Sequence, residues 1–270
     1  MTADVSIGVP GALGPEAVRL LAPRVEAAGF AGIWLNDSPQ GDSLAGLAAA
    51  AEVTTHLRLA SGVIPVDRRP GPAIFEHLRR TGVPEARLTL GIGSGQLRTG
   101  AVDAVAEAIA VLRQASNAAV VVGALGPRMR RLGAEHADGV LLSWLTPAVA
   151  ADQAEEARAA GRAAQGEMPR VALYVRTIVD EAVRPVLDRE AAQYGSYPAY
   201  AANFDRLGIG PTDTILPPVG LGLAAGVAAY RAAVDELVLR AITPTGSLDD
   251  LLAFVDRAAA LSVSSAPGAV

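Results

Sequence analysis

Apolar residues along the chain fall into short unbroken runs separated by stretches with helical spacing, and the two alternate from one end to the other. The runs predict strands at 5–9, 32–35, 57–63, 88–92, 119–122, 139–142, 171–178 and 236–242. Between them, Ala/Leu/Glu/Arg-rich stretches predict helices beginning near Pro15, Ser43, Pro72, Ala101, Pro127, Pro147, Glu181 and Ser247. Proline suits a first helical turn, where its missing N–H costs nothing and its φ is already correct. Strict strand–helix alternation requires parallel strands with right-handed crossovers. Eight units select a closed (β/α)8 TIM barrel over an open doubly wound sheet.

The runs are continuously apolar rather than alternating, Ala119-Val120-Val121-Val122 most clearly, as in a sheet covered on both faces. The spacing fails once. About sixty residues, instead of the roughly thirty of one strand–helix unit, separate Arg176 from the last strand. They carry a helix through Tyr194, Tyr200 and Phe204 and a loop from Gly208 to Gly220. Pro211, Pro217 and Pro218 fix this as an irregular insertion, at about 181–235, within one domain spanning 1–261. Residues 262–270 read as a flexible tail.

With 270 residues, 51% hydrophobic and 19% charged, the chain has enough apolar surface for one large core and no run long enough to span a bilayer. Its start carries no basic region followed by an apolar stretch and a cleavage site, so the expectation is a cytoplasmic protein without a membrane partner. Two absences narrow the chemistry. There is no cysteine, and all 23 basic residues are arginine. Thiolate metal sites, cysteine nucleophiles, Schiff bases and Walker-type lysines are therefore excluded. His56, His77 and His136 have no metal-pair spacing, so no metal is expected, and a net charge of −5 argues against a nucleic-acid partner. Chemistry of this kind is left to a bound cofactor, with the protein positioning it against a small-molecule substrate.

In such a barrel the site lies at the carboxyl ends of the strands. The segments there are Trp34-Leu35-Asn36-Asp37-Ser38, Ala60-Ser61-Gly62-Val63-Ile64-Pro65, Gly91-Ile92-Gly93-Ser94-Gly95, Gly123-Ala124-Leu125-Gly126-Pro127 and Ser143-Trp144-Leu145-Thr146-Pro147. Glycines after strands four and five let a backbone approach a flat or phosphorylated ligand closely. Gly126-Pro127 opens a helix whose free N–H groups suit a phosphate. Each feature also has a plain structural reading: Asp37 as a helix cap, Trp34 and Trp144 as core aromatics, Arg68 and Arg69 as a solvated pair, and the three histidines as parts of helices or their ends.

In this order the segments resemble the bacterial luciferase-like family, particularly its coenzyme F420 (deazaflavin) oxidoreductases. The most specific stretches are Ala28-Gly29-Phe30 leading to Trp34-Leu35-Asn36-Asp37, Thr54 to Arg69, Arg87 to Gly95, and Gly123 to Met129 followed by Ala137-Asp138-Gly139-Val140. The resemblance implies a (β/α)8 barrel, a homodimer, and a non-prolyl cis peptide at Gly62-Val63 or Ser61-Gly62 forming a backbone shelf under the ring. It places Ser94 and Gly95 beside the ring, with Gly93 in the same turn. Gly123, Ala124, Gly126, Pro127, Ser143 and Trp144 would hold the ribityl phosphate region. Asp37 would handle a proton or orient the ring, with Ser38 as its hydrogen-bond partner. Two departures stand out: Ser38 replaces the histidine expected after Asp37, and the stretch from Gly95 to Ala101 is short. Hydride transfer on coenzyme F420 is the resulting expectation. The alternatives are an FMN-dependent monooxygenase of the same family and a non-catalytic flavin-binding relative; an isomerase or aldolase on the same fold ranks last, lacking the lysine or acid–base pair.

Overall fold

The computed structural model describes residues 3–218 and 220–263. Its strands are β1 (Asp4–Val9), β2 (Gly32–Leu35), β3 (Arg58–Ser61), β4 (Ile64–Pro65), β5 (Leu88–Gly93), β6 (Ala119–Gly123), β7 (Gly139–Ser143), β8 (Arg170–Thr177) and β9 (Glu236–Ala241). All pair in parallel, in the order β3-β2-β1-β9-β8-β7-β6-β5, and β3 then pairs with β5 through Leu59↔Leu88 to close the ring. The short β4 is the continuation of β3 beyond a bulge and pairs with β5 through Ile64↔Ile92. Eight strand positions thus form a single (β/α)8 barrel, as the apolar runs predict.

The helices are α1 (Pro15–Ala27), α2 (Ser43–Val53), α3 (Gly71–Thr81), α4 (Ala101–Ala115), α5 (Pro127–His136), α6 (Pro147–Gln165), α7 (Arg184–Ser196), α8 (Pro198–Leu207), α9 (Leu223–Arg231) and α10 (Leu248–Val263). Six of them, α1, α3, α5, α6, α7 and α8, have proline at the first or second helical position. Outward-facing strand residues such as Ile7, Ile33, Leu59, Leu90, Val122 and Leu239 pack against the helices in one continuous shell. Inward-facing Trp34, Ala60, Val121, Leu141, Ala172, Tyr174 and Val238 fill the barrel itself. Among the described residues no helix is long and apolar enough to cross a membrane.

The barrel floor is polar and centred on the Glu236 carboxylate. Glu236 accepts hydrogen bonds from Ser6 Oγ (2.6 Å), Trp34 Nε1 (2.8 Å) and Arg170 Nη2 (3.0 Å), and its side chain is almost wholly buried. Asp4 joins Arg58 (2.8 Å) and Arg170 (2.7 Å) at the same end. Burial opposes the charge on Asp4, but the two guanidinium groups outweigh it and hold its pKa below the usual value.

The segment between β8 and β9 departs from the sequence expectation in two ways. The helix expected through Tyr194, Tyr200 and Phe204 is two helices, because Pro198 breaks it after Tyr197. A further helix, α9, follows the proline-rich loop and packs against β9, α6 and α10, so it is the regular crossover. Only 178–215 is extra. This excursion leaves and rejoins the barrel at one point, where Leu216 donates to Arg176 O (2.8 Å) and accepts from Ile178 N (2.9 Å). At the other end, α10 continues through Val263, past the expected start of the tail, and 264–270 lie outside the described residues.

Candidate functional site

Strand β3 ends at Ser61 and resumes as β4 at Ile64, and the Gly62–Val63 peptide between them is cis. Ser61 does not face the mouth. Its hydroxyl is fully buried and bonds both Gly91 N (2.9 Å) and Gly91 O (3.1 Å), stitching β3 to β5. Gly62 donates to Leu35 O (2.8 Å), and Asn36 Nδ2 donates to Gly62 O (2.5 Å). The bulge is therefore held from both sides by β2 and β5.

Val63 projects between two glycines on the neighbouring strands. A Cβ on Gly93 would lie 2.8 Å from Val63 Cγ2, and one on Gly123 would lie 2.7 Å from Val63 Cγ1. Any larger residue at either position would displace the bulge. Below it, the Tyr174 ring spans the barrel: a Cβ on Gly8 would meet Tyr174 Cε1 at 2.7 Å, and one on Gly62 would meet the Tyr174 hydroxyl at 2.8 Å. Trp34 packs edge-on against this ring at 5.8 Å. Two buried polar atoms here, Asn36 Oδ1 and Tyr174 Oη, have no partner among the described residues. Burial pushes the Tyr174 pKa well above its ordinary value, against the pull of Arg240 and Arg176, so the phenol keeps its proton.

Asp37 sits beside this bulge with its carboxylate already engaged. It accepts from Ser43 N (3.0 Å) and Ser43 Oγ (2.9 Å) at the start of α2, pairs with Arg68, and has Arg69 at 3.6 Å. Arg68 and Arg69 are thus an anchored pair rather than a solvated one. Ser38 forms a tight backbone turn with Gly41 (3.0 and 3.1 Å). Asp42 caps α2 through Ala45 N (3.1 Å) and approaches His77 Nε2 to 2.6 Å.

On the far side of the mouth, Ser94 and Gly95 occupy an exposed turn with Gly95 at φ +62°, and Asp67 accepts from Gln96 N (2.8 Å) to tie that turn to the loop after β4. Ala124 is nearly buried and donates to Leu141 O (3.0 Å), which draws the β6 end against β7. Gly126 precedes Pro127 at the start of α5 in an extended conformation, with no side-chain cap and nothing within 4 Å of where a Cβ would stand. The first turn of α5 therefore presents free backbone N–H groups beside open space.

The β7–β9 sector is cationic. Ser143 is part-exposed and accepts from Arg176 Nη1 (2.6 Å). Arg176 also pairs with Glu190 of α7 (3.2 Å) and lies 4.1 Å from the Trp144 ring centroid and 4.7 Å from that of Tyr194. Trp144 itself, at φ +58°, is covered by Tyr194 and Phe204 and does not reach the mouth. Arg240, paired in register with both Gly8 and Arg176, donates to Ala241 O (2.6 Å). Burial lowers its pKa, with Glu190 opposing that shift.

The structure therefore brings Gly62, Val63, Gly93 and Gly123 together as one wall and places Ser94, Gly95, Ala124, Gly126 and Pro127 along its rim. Asp37, Ser61 and Trp144 are engaged behind it. Asn36, Tyr174, Arg176 and Arg240 were not singled out from sequence as site residues; alternation along closed strands would have turned Tyr174, Arg176 and Arg240 inward together.

A family model described as luciferase-like monooxygenase matches residues 5–115 and 101–253. No curated protein matches. Among solved structures, a coenzyme F420-dependent tetrahydromethanopterin reductase from Methanopyrus kandleri superposes with a TM-score of 0.76 at 15% identity, covering 98% of this chain and 99% of that one. An F420-dependent secondary alcohol dehydrogenase in complex with an F420–acetone adduct gives 0.68 at 14% identity, over 95% and 99% of the two chains. The oxygenating constituent of 3,6-diketocamphane monooxygenase from Pseudomonas putida, in complex with FMN, gives 0.70 at 13% identity over 100% of both. At these identities the likeness is one of fold.

Proposed function

Because the chain belongs to the luciferase-like monooxygenase family, we propose that it is an oxidoreductase that seats coenzyme F420 across the barrel mouth and exchanges a hydride with a small organic substrate. The observation that carries this reading is the cradle: Gly93 and Gly123 leave no room for side chains beside Val63, so the bulge presents backbone and one isopropyl group as a flat wall. Two unpartnered polar atoms, Asn36 Oδ1 and Tyr174 Oη, stand ready for a ligand's hydrogen bonds. These features fit a planar, polar-edged ring, and the open N-terminus of α5 at Gly126 fits its phosphate.

When bound, the deazaflavin supplies the two-electron chemistry that no side chain of this protein can. The chain's own residues position and exclude. Asn36 fixes the Gly62 carbonyl, while Asp37, clamped by Ser43, Arg68 and Arg69, fixes the loop that carries Asn36 and Ser38. Asp37 is in this reading a positioning residue. Tyr174, kept neutral by burial, offers a proton in a hydrogen bond from beneath the wall. The α7–α8 insertion covers Trp144 with Tyr194 and Phe204 beside the β7–β9 sector.

FMN is the second reading, favoured by the FMN-bound neighbour and by an α5 terminus that suits a ribityl phosphate of either ring. Titration of the purified chain with F420 and with FMN, following ring absorbance and fluorescence, tests both. Tight binding of F420 supports hydride transfer, preference for FMN supports the monooxygenase, and binding of neither overturns the cradle.

A further inference from the structure

We propose that the seam between α5 and α6, on the outside of the barrel, is a binding site for an uncharged molecule with an apolar body and a hydrogen-bond-accepting carbonyl. The site lies apart from the ring cradle, and the inference goes beyond the reading above without resting on it.

The two helices pack on each other, yet a groove of about 310 Å³ stays open between them. Pro127, Arg130, Arg131 and Glu135 form one wall, a single face of α5 over about 12 Å of helix. Ala157, Ala160 and Ala163 line the other at one-turn intervals on α6, and their short side chains leave the space. Alanine is the best helix former, so a stripe of it needs no ligand by itself. Arg130 makes the difference. It is only 5% exposed, a burial that arginine rarely reaches. Its Nη2 bonds Glu156 at 2.8 Å, while its Nη1 is buried with no partner among the described residues. Gln153, one turn before Ala157, is buried too, and its Nε2 also lacks a partner. Spacing of i, i+4 and i+7 sets Gln153 on the stripe of Ala157 and Ala160, so both unmet donors belong to this seam.

Charge then selects the ligand. Arg130 is paired with Glu156, and Arg131 with Glu135 at 2.7 Å, so each cation lining the groove already has its anion. A carboxylate entering the groove would meet the two glutamates, and an ammonium would meet the two arginines. What the seam lacks is an acceptor oxygen without a charge, since burying a donor without an acceptor is unfavourable. The alanine methyls ask for an apolar body over them. An amide, ester or ketone with a short hydrocarbon chain supplies both.

Hexanamide, hexanoate and hexylamine share one apolar body and differ in charge, and each is titrated into the full chain carrying isotope-labelled alanine methyl groups. Saturable shifts of the Ala157, Ala160 and Ala163 methyl signals are expected, with hexanamide binding at least about fivefold more tightly than either charged analogue. Arg130→Met should remove that preference; it frees Glu156, which is largely exposed, so no carboxylate is stranded in the interior. Ala160→Leu, which fills the groove and leaves Arg130 in place, should abolish binding of all three. A charged analogue that binds the parent as tightly as hexanamide overturns the inference, as does the absence of shifts at these methyls. So does a preference that survives in Arg130→Met, or hexanamide binding that survives in Ala160→Leu. Should Arg130→Met fail to fold, the parent and Ala160→Leu titrations decide. Because Pro127 adjoins the turn proposed for the phosphate, the series is repeated with excess FMN: unchanged hexanamide affinity is expected, and displacement would make the groove part of the ring site and overturn a separate one. Failure of F420 and FMN to bind leaves this inference standing, so the two readings fail separately.

Discussion

Replacing Gly126 with aspartate should move stability and phosphate binding in opposite directions. The position is extended (φ −101°, ψ 163°), a Cβ there meets nothing within 4 Å, and α5 has neither a capping side chain nor an acidic residue in its first turn. An aspartate would cap the free N–H groups and complement the helix dipole, for a gain of about 0.5 to 1.5 kcal/mol. The same carboxylate would stand where a phosphate is to be received. At about 5 Å in water-like surroundings two unit charges repel by about 0.8 kcal/mol, so a phosphate dianion loses about 1.5 kcal/mol, and about twice that where the dielectric is halved. FMN should then bind about 10- to 100-fold more weakly. Riboflavin, which has the ring and no phosphate, is the control and should bind both proteins alike. Urea unfolding supplies the stability arm and ring-fluorescence titration the binding arm. Unchanged FMN affinity, or equal losses for FMN and riboflavin, would refute the placement of the phosphate; a lower unfolding midpoint would refute the capping argument.

Three further outcomes are expected. Glu236→Ala should destabilise the barrel by about 3 to 5 kcal/mol, since it strands the buried donors Ser6 Oγ and Trp34 Nε1 beside two arginines; a loss under about 1 kcal/mol in denaturant unfolding would contradict the floor described here. Tyr174→Phe removes a buried hydroxyl with no partner among the described residues, so the cofactor-free chain should melt no lower than the parent while ring binding weakens. Burial opposes the charge on Glu26, but the Thr55, His56 and Leu57 N–H groups that it accepts from hold its pKa below the usual glutamate value. A lowered folded pKa means that stability is present at neutral pH and lost as pH falls through it, so Glu26→Gln should be less stable at pH 7 and converge with the parent in acid.

The barrel was legible because buried parallel strands are written as unbroken apolar runs, and proline or a serine–aspartate pair marks most helix entries. Helix α9 escaped notice for a local reason: Leu223–Arg231 carries Gly226 at its centre and follows Pro217-Pro218, so its pattern reads as more loop. Gly226 is glycine because a Cβ there would collide with Leu216 and Pro218, a contact made only once the chain has turned back. The glycine-lined half of the mouth was readable from spacing and resemblance. The charged half was not, since Arg176 and Arg240 lie 64 positions apart and meet only when β8 and β9 pair. Asp37 shows the reverse case, a residue whose type suggests acid–base chemistry and whose neighbours Arg68, Arg69 and Ser43 engage its carboxylate in holding a loop.

The departure and return of residues 178–215 through one pair of backbone hydrogen bonds at Leu216 makes that excursion a cartridge. Its length and sequence can change without altering the circumference of the ring, because loop closure depends only weakly on how many residues are looped out. Exchanging this piece thus leaves the strand ring as it is, and grafting experiments should begin at Ile178 and Ile215.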